Sequence, residues 1–151
     1  MLTISPLCQL NGGCMGCCGN NFVSVKKIEE AIRKNTLDFV AMSPKEKEEF
    51  QCFRNRANSS QLRHGVCMNL ISRKGKNFCP LHPACHDGQD LREGHCDINF
   101  LCKSAKEFAK CDSSKQNEFI DFIKSKKLSS IEFSVRMDNG QLWKDFLMSS
   151  D

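Results

Sequence analysis

Eleven cysteines lie between Cys8 and Cys111, and the rest of the 151-residue chain holds none. That distribution limits what the chain can fold into. The cysteine-bearing part contains a stretch, Gly65 to Gly94, in which Gly75, Pro80 and Pro83 interrupt every periodicity. About 30 residues with little regular structure inside a compact domain need a device to hold them. Metal ligation is such a device, because it cross-links backbone that cannot pair with itself.

Disulfides are the competing explanation. The chain begins without a basic segment followed by a short apolar run, so no secretory signal is read at Met1–Cys8. No apolar stretch is long enough to span a bilayer, so no membrane role is expected. The expected compartment is the cytoplasm, where clustered cysteines are more often metal ligands or redox groups than structural bridges. Hydrophobic residues make up 40% of the chain and include eleven Phe and one Trp, enough to fill a core without staples. This composition excludes a disordered chain and a small disulfide scaffold. The net charge of +4 is spread over the length with no block of like charges. It permits nucleic-acid contact without arguing for it.

Apolar spacing at Phe22, Val25, Ile28 and Ile32 predicts a helix over about residues 23–35. Ser43-Pro44-Lys45-Glu46 reads as a capping box opening a second helix, whose apolar face is Phe50, Phe53 and Ala57. Val66–Ile71 reads as a short strand. Ile98, Leu101, Cys102, Ala105, Phe108 and Ala109 fit a helix ending near Cys111, and Phe119, Phe122 and Ile123 mark another from about Ser114 to Lys127. Ile131, Phe133, Val135 and Met137 alternate strictly, which predicts a half-buried strand. Leu142, Trp143, Phe146 and Leu147 have helical spacing, with a second hairpin strand as the alternative. The expected fold is α+β: one small, mostly helical domain over 1–151. Its loop-rich cysteine half spans 8–102, and a C-terminal support with a short strand or hairpin spans 103–151.

The cysteines are not equivalent. Cys14-x2-Cys17-Cys18 sits among glycines and reads as a knuckle that aims two sulfurs at one metal, its backbone amides stabilising the thiolates. Cys67, Cys79 and Cys96 stand beside Gly or Pro in the irregular stretch or at its exit and are the next candidates. Cys8, Cys85, Cys102 and Cys111 are weaker, Cys102 being equally a buried core thiol. Cys52, between Phe50 and Phe53, reads as a plain helix residue. His82 and His95 can complete a Cys/His site, and each also reads as an ordinary polar neighbour. Asp87, Asp90 and Glu93 read as a solvated acidic loop. No P-loop, GxGxxG, HExxH or GxSxG motif occurs.

Cys14-Met15-Gly16-Cys17-Cys18, His64-Gly65-Val66-Cys67-Met68-Asn69-Leu70, Cys79-Pro80-Leu81-His82-Pro83 and Arg92-Glu93-Gly94-His95-Cys96 resemble, in this order, the YkgJ-like cysteine-cluster proteins, a zinc- or iron-chelating family. The resemblance covers roughly residues 8–102. It implies Cys14, Cys17, Cys18, Cys67, Cys79 and Cys96 as ligands, with Cys8 as the early cysteine. Leu81-His82 stands where the family has an aromatic pair, and the interval from Cys79 to Cys96 is longer than the family's, so Cys85 competes with Cys96. Family members attached to protein-lysine methyltransferases carry an iron–sulfur cluster.

Thiolate-rich ligation suits an iron–sulfur cluster or zinc. The leading expectation is a metal-binding module for electron transfer, metal handling or support of an enzyme, with an enzyme or redox partner. The alternatives are a catalytic subunit using the cluster in redox or methyl-transfer chemistry, and a structural zinc module that binds protein or nucleic acid.

Overall fold

The computed structural model describes residues 7, 10–11, 13, 24–58, 60–96 and 101–149. They fall into two compact units. One contains residues 24–96; the other contains 101–149 together with Leu7, Leu10, Asn11 and Gly13. The fold class is small, mostly helical α+β, as expected, although the short strand or hairpin expected in the C-terminal part is absent among its described residues.

In the first unit, α1 (Val25–Met42) starts at Ser24, whose hydroxyl accepts from the Lys27 N–H. Ile28, Ala31, Ile32, Asn35 and Phe39 form its buried face. The helix runs about two turns past the expected end at residue 35. Ser43 closes it in the left-handed region (φ 44°), its N–H donating to the Phe39 carbonyl at 2.8 Å. The expected capping box at Ser43 is therefore corrected: the residue ends α1 instead of opening the next helix. α2 (Lys47–Asn55) begins four residues later than Ser43, and the Glu49 side chain accepts from the Glu46 N–H at 3.0 Å.

Two antiparallel hairpins follow, β1 (Leu62–Arg63) with β2 (Val66–Cys67) and β3 (Ile71–Arg73) with β4 (Lys76–Phe78). Each turns through two residues with positive φ, His64-Gly65 and Lys74-Gly75, the conformation of a type I′ turn that follows strand twist. The single strand expected over Val66–Ile71 is thus two strands parted by the turn Cys67–Leu70. Phe39, Phe53 and Ile71 form the core between α1, α2 and β3, with the Phe39 and Phe53 rings edge to face at 5.1 Å.

The second unit is helical: α3 (Lys103–Ala109), α4 (Ser113–Lys126), α5 (Ser130–Asp138) and α6 (Gln141–Ser149). α4 and α6 match expectation closely. α5 does not, because residues 131–137 were expected as a strand. Ser129 caps it by accepting from the Glu132 N–H at 3.2 Å, and Phe133, Ser134 and Met137 are buried along with Ile131. The small buried Ser134 supplies the helical face that the alternation of large residues conceals. Phe119, Phe133, Met137, Leu142 and Phe146 centre a core that also takes in Leu7 and Cys102. Among the described residues, no helix is long and apolar enough to cross a membrane.

Candidate metal centre

Two cysteines of the first unit occupy matching turns. In Cys67-Met68-Asn69-Leu70, the Leu70 N–H donates to the Cys67 carbonyl at 3.2 Å and the Asn69 N–H donates to the Cys67 sulfur at 3.5 Å. In Cys79-Pro80-Leu81-His82, the His82 N–H donates to the Cys79 carbonyl at 3.1 Å and the Leu81 N–H donates to the Cys79 sulfur. Each turn follows directly on a strand, β2 or β4, and each gives its sulfur the amide two residues on. An amide so placed favours thiolate charge and fixes the direction of the sulfur.

A third turn, Arg92–Cys96, carries the last of these cysteines. His95 and Cys96 both donate their N–H groups to the Arg92 carbonyl, at 2.9 and 3.3 Å. The three turns are fastened together. The buried Asn35 of α1 donates its amide to the carbonyls of Cys67 (2.9 Å) and Leu70 (3.0 Å). Arg56, just past α2, donates to Asn69 Oδ1 at 3.0 Å and to the Met68 carbonyl, and its guanidinium lies over the Phe53 ring at 4.1 Å. Arg54 of α2 donates to the carbonyls of Leu91 (3.1 Å) and Glu93 (3.3 Å). The Leu91 N–H donates to the Leu81 carbonyl at 3.1 Å, which ties the second turn to the third. Asn69 Nδ2 meets His95 Nε2 at 3.2 Å, which ties the first to the third.

The charges of Cys67, Cys96 and Arg92 all bear on the Cys79 thiol. Burial pushes the Cys79 thiol well up; the Leu81 amide and Arg92 oppose this, while Cys67 and Cys96 add to it. Arg92 is the positive group beside Cys79 and Cys96, and it is held by Asp90 through bonds of 2.8 and 2.7 Å. Burial works against ionisation of Asp90, but Arg92's hydrogen bonds and charge outweigh it and keep the carboxyl below its usual range. The side chains are 14% and 4% exposed. Asp90 is therefore a buried partner of Arg92, and the expectation of a solvated acidic residue there is corrected.

Three histidines lie around these turns. His82 Nδ1 accepts from the Ala84 N–H at 3.0 Å, and burial followed by Arg92 lowers its pKa, with Asp90 opposing. His95 is lowered by burial and then by Arg54. His86 lies edge-on to Phe50 at 4.5 Å with Nε2 on the Pro80 carbonyl.

Cys52 is exposed on α2, and Cys85 is exposed at the end of the 3-10 turn Pro83–Cys85. Cys102 is buried in the core of the second unit, and the Cys111 thiol donates to the Glu107 carbonyl at 3.4 Å. Cys8, Cys14, Cys17 and Cys18 lie outside the described residues. Among the described residues, no three His, Cys, Asp or Glu side chains converge as a metal-holding group. Asn35, Arg54 and Arg56 escape a reading based on motifs, since long-range contacts alone give them their part. The X-Gly pairs at residues 64–65 and 74–75 were the legible sign of the hairpins.

No protein-family model, no curated protein and no solved structure matches the chain.

Proposed function

We propose that this chain is a metal-binding protein whose Cys14, Cys17, Cys18, Cys67, Cys79 and Cys96, with Cys8, hold an iron–sulfur cluster or zinc. The observation that carries this reading is the pair of matching turns at Cys67 and Cys79, each with an amide donated to its sulfur. The surroundings fit a cationic group held by thiolates. A thiol as desolvated as that of the half-buried Cys79 ionises at little cost only when a positive centre lies beside it, and a metal supplies that charge. Asp90 fixes the direction of the Arg92 guanidinium, whose charge bears on Cys79 and Cys96. Asn35, Arg54 and Arg56 hold the turns in place, which lowers the ordering that binding demands.

An iron–sulfur cluster bound there supplies one-electron chemistry, and zinc supplies a structural cross-link. The chain would serve as an electron-transfer, metal-handling or enzyme-accessory module, working with a protein partner in the cytoplasm. Anaerobic purification followed by iron, zinc and sulfide counts and a visible spectrum tests the reading. At least one metal per chain is expected. Cys67→Ser and Cys79→Ser should lower the metal content, whereas Cys52→Ser on the exposed face of α2 should leave it unchanged. A colourless protein with neither iron nor zinc refutes the reading.

A further inference from the structure

The second unit carries a cleft with no cysteine among its described lining residues. It has a volume of about 590 Å³ and lies between α3 and the turn that leads from α5 into α6. Lys103, Lys106, Lys110 and Lys144 line it, with Glu107 as the acidic side chain. Lys103, Lys106 and Lys110 follow one another at spacings of three and four, so the helix sets them on one face. Lys144 enters from α6. Like charges at such spacings cost a helix a few tenths of a kcal/mol per pair, so their own helix does not favour this stripe. Lys110 is paired with Glu107 at 3.1 Å, and Lys103 lies within electrostatic reach of Asp138. Asn139 and Gly140 also line the cleft and bring the N-terminus of α6 to it, the positive end of that helix.

We propose that this cleft binds a small molecule bearing a chain of phosphates. Its size falls in the range of small-molecule sites, about 300–1,000 Å³. No arginine fork lines it, so planar bidentate recognition of a single carboxylate is not what it offers. Lysines act as separate point charges, which suits an anion with several oxygens spread along a line. From Lys103 to Lys110 the helix rises about 10 Å, longer than one phosphate group and comparable with a short polyphosphate.

Isothermal titration calorimetry on the full chain, without magnesium, tests this with tripolyphosphate, ATP, orthophosphate and a single-stranded RNA. Tripolyphosphate and ATP should bind one per chain, and orthophosphate about tenfold or more weaker. Equal affinity for the first two identifies the phosphate chain as the ligand; tighter ATP adds a nucleoside resting on Leu101 and Ala109. Lys106→Glu and Lys144→Glu should each weaken tripolyphosphate binding about tenfold or more. Lys124→Glu, the same charge change on α4 outside the cleft, should leave binding unchanged. Lys106→Gln and Lys144→Gln, which keep most of the stem, replace the Glu variants if circular dichroism shows those unfolded. The proposal is overturned if neither tripolyphosphate nor ATP binds at millimolar concentration, if Lys124→Glu weakens binding equally, or if the RNA binds more tightly than both. Metal content is a separate measurement, so neither result decides the other.

Discussion

Asn35→Ala offers the sharpest test of how the cysteine turns are held. Asn35 is fully buried, and its Nδ2 donates to two main-chain carbonyls, Cys67 at 2.9 Å and Leu70 at 3.0 Å. Both partners are acceptors only, so the amide nitrogen must face them. The Cys67 carbonyl keeps a second partner in the Leu70 N–H when the side chain is cut back. Two such bonds contribute about 1 kcal/mol each, and stranding a buried carbonyl adds to the loss. Against this, Asn35 Oδ1 is itself buried without a hydrogen bond, and its removal returns some of that cost. The net expectation is a destabilisation of about 2 kcal/mol. Asn35→Asp should be worse, because it turns a donor into an acceptor facing two carbonyl oxygens and buries a carboxyl group. Urea denaturation followed by far-UV circular dichroism measures both variants. The reasoning fails if Asn35→Ala costs less than about 0.5 kcal/mol, or if the aspartate variant is the milder of the two. If Cys67 is a metal ligand as proposed, metal content should fall in both, because the turn that carries its sulfur loses its anchor.

Asp90 sets an acid limit on the first unit. Its carboxyl is held below the usual range in the folded state, so its contribution is fully present above the unfolded carboxylate pKa and is lost as pH falls through the lower folded value. Asp90→Asn should flatten the acid limb of a stability–pH profile, and an unchanged limb contradicts the buried pairing with Arg92. Ser129→Ala removes the cap of α5 and should cost about 1 kcal/mol in chemical denaturation; no cost would contradict a helix starting there.

Much of the helical half is legible from side-chain spacing. Phe119, Phe122 and Ile123 locate α4 within a residue at each end, because an amphipathic helix shows its period directly. Where reading fails, a local pattern supports two structures and packing chooses between them. Ile131, Phe133, Val135 and Met137 alternate, yet Ser129 three residues before Glu132 is also a helix start, and the core of the second unit accepts the small Ser134. Ser43 can open a helix by its side chain, but α1 reaches it first because Asn35 and Phe39 extend the buried face. Asp90 looks solvated until Arg92 is seen to cover it.

The cysteine candidates, the irregular stretch between Gly65 and Gly94 and the period of the longer helices are properties of the chain order, and the sequence alone determines them. That Cys67 and Cys79 share one turn geometry, that Arg54, Arg56 and Asn35 hold the turns, and that four lysines meet over one cleft are decided only by the tertiary structure. The physical reason is range. Periodicity and turn chemistry act between neighbours a few residues apart, whereas Asn35 and Leu70 are 35 positions apart, and nothing local in either residue names its partner.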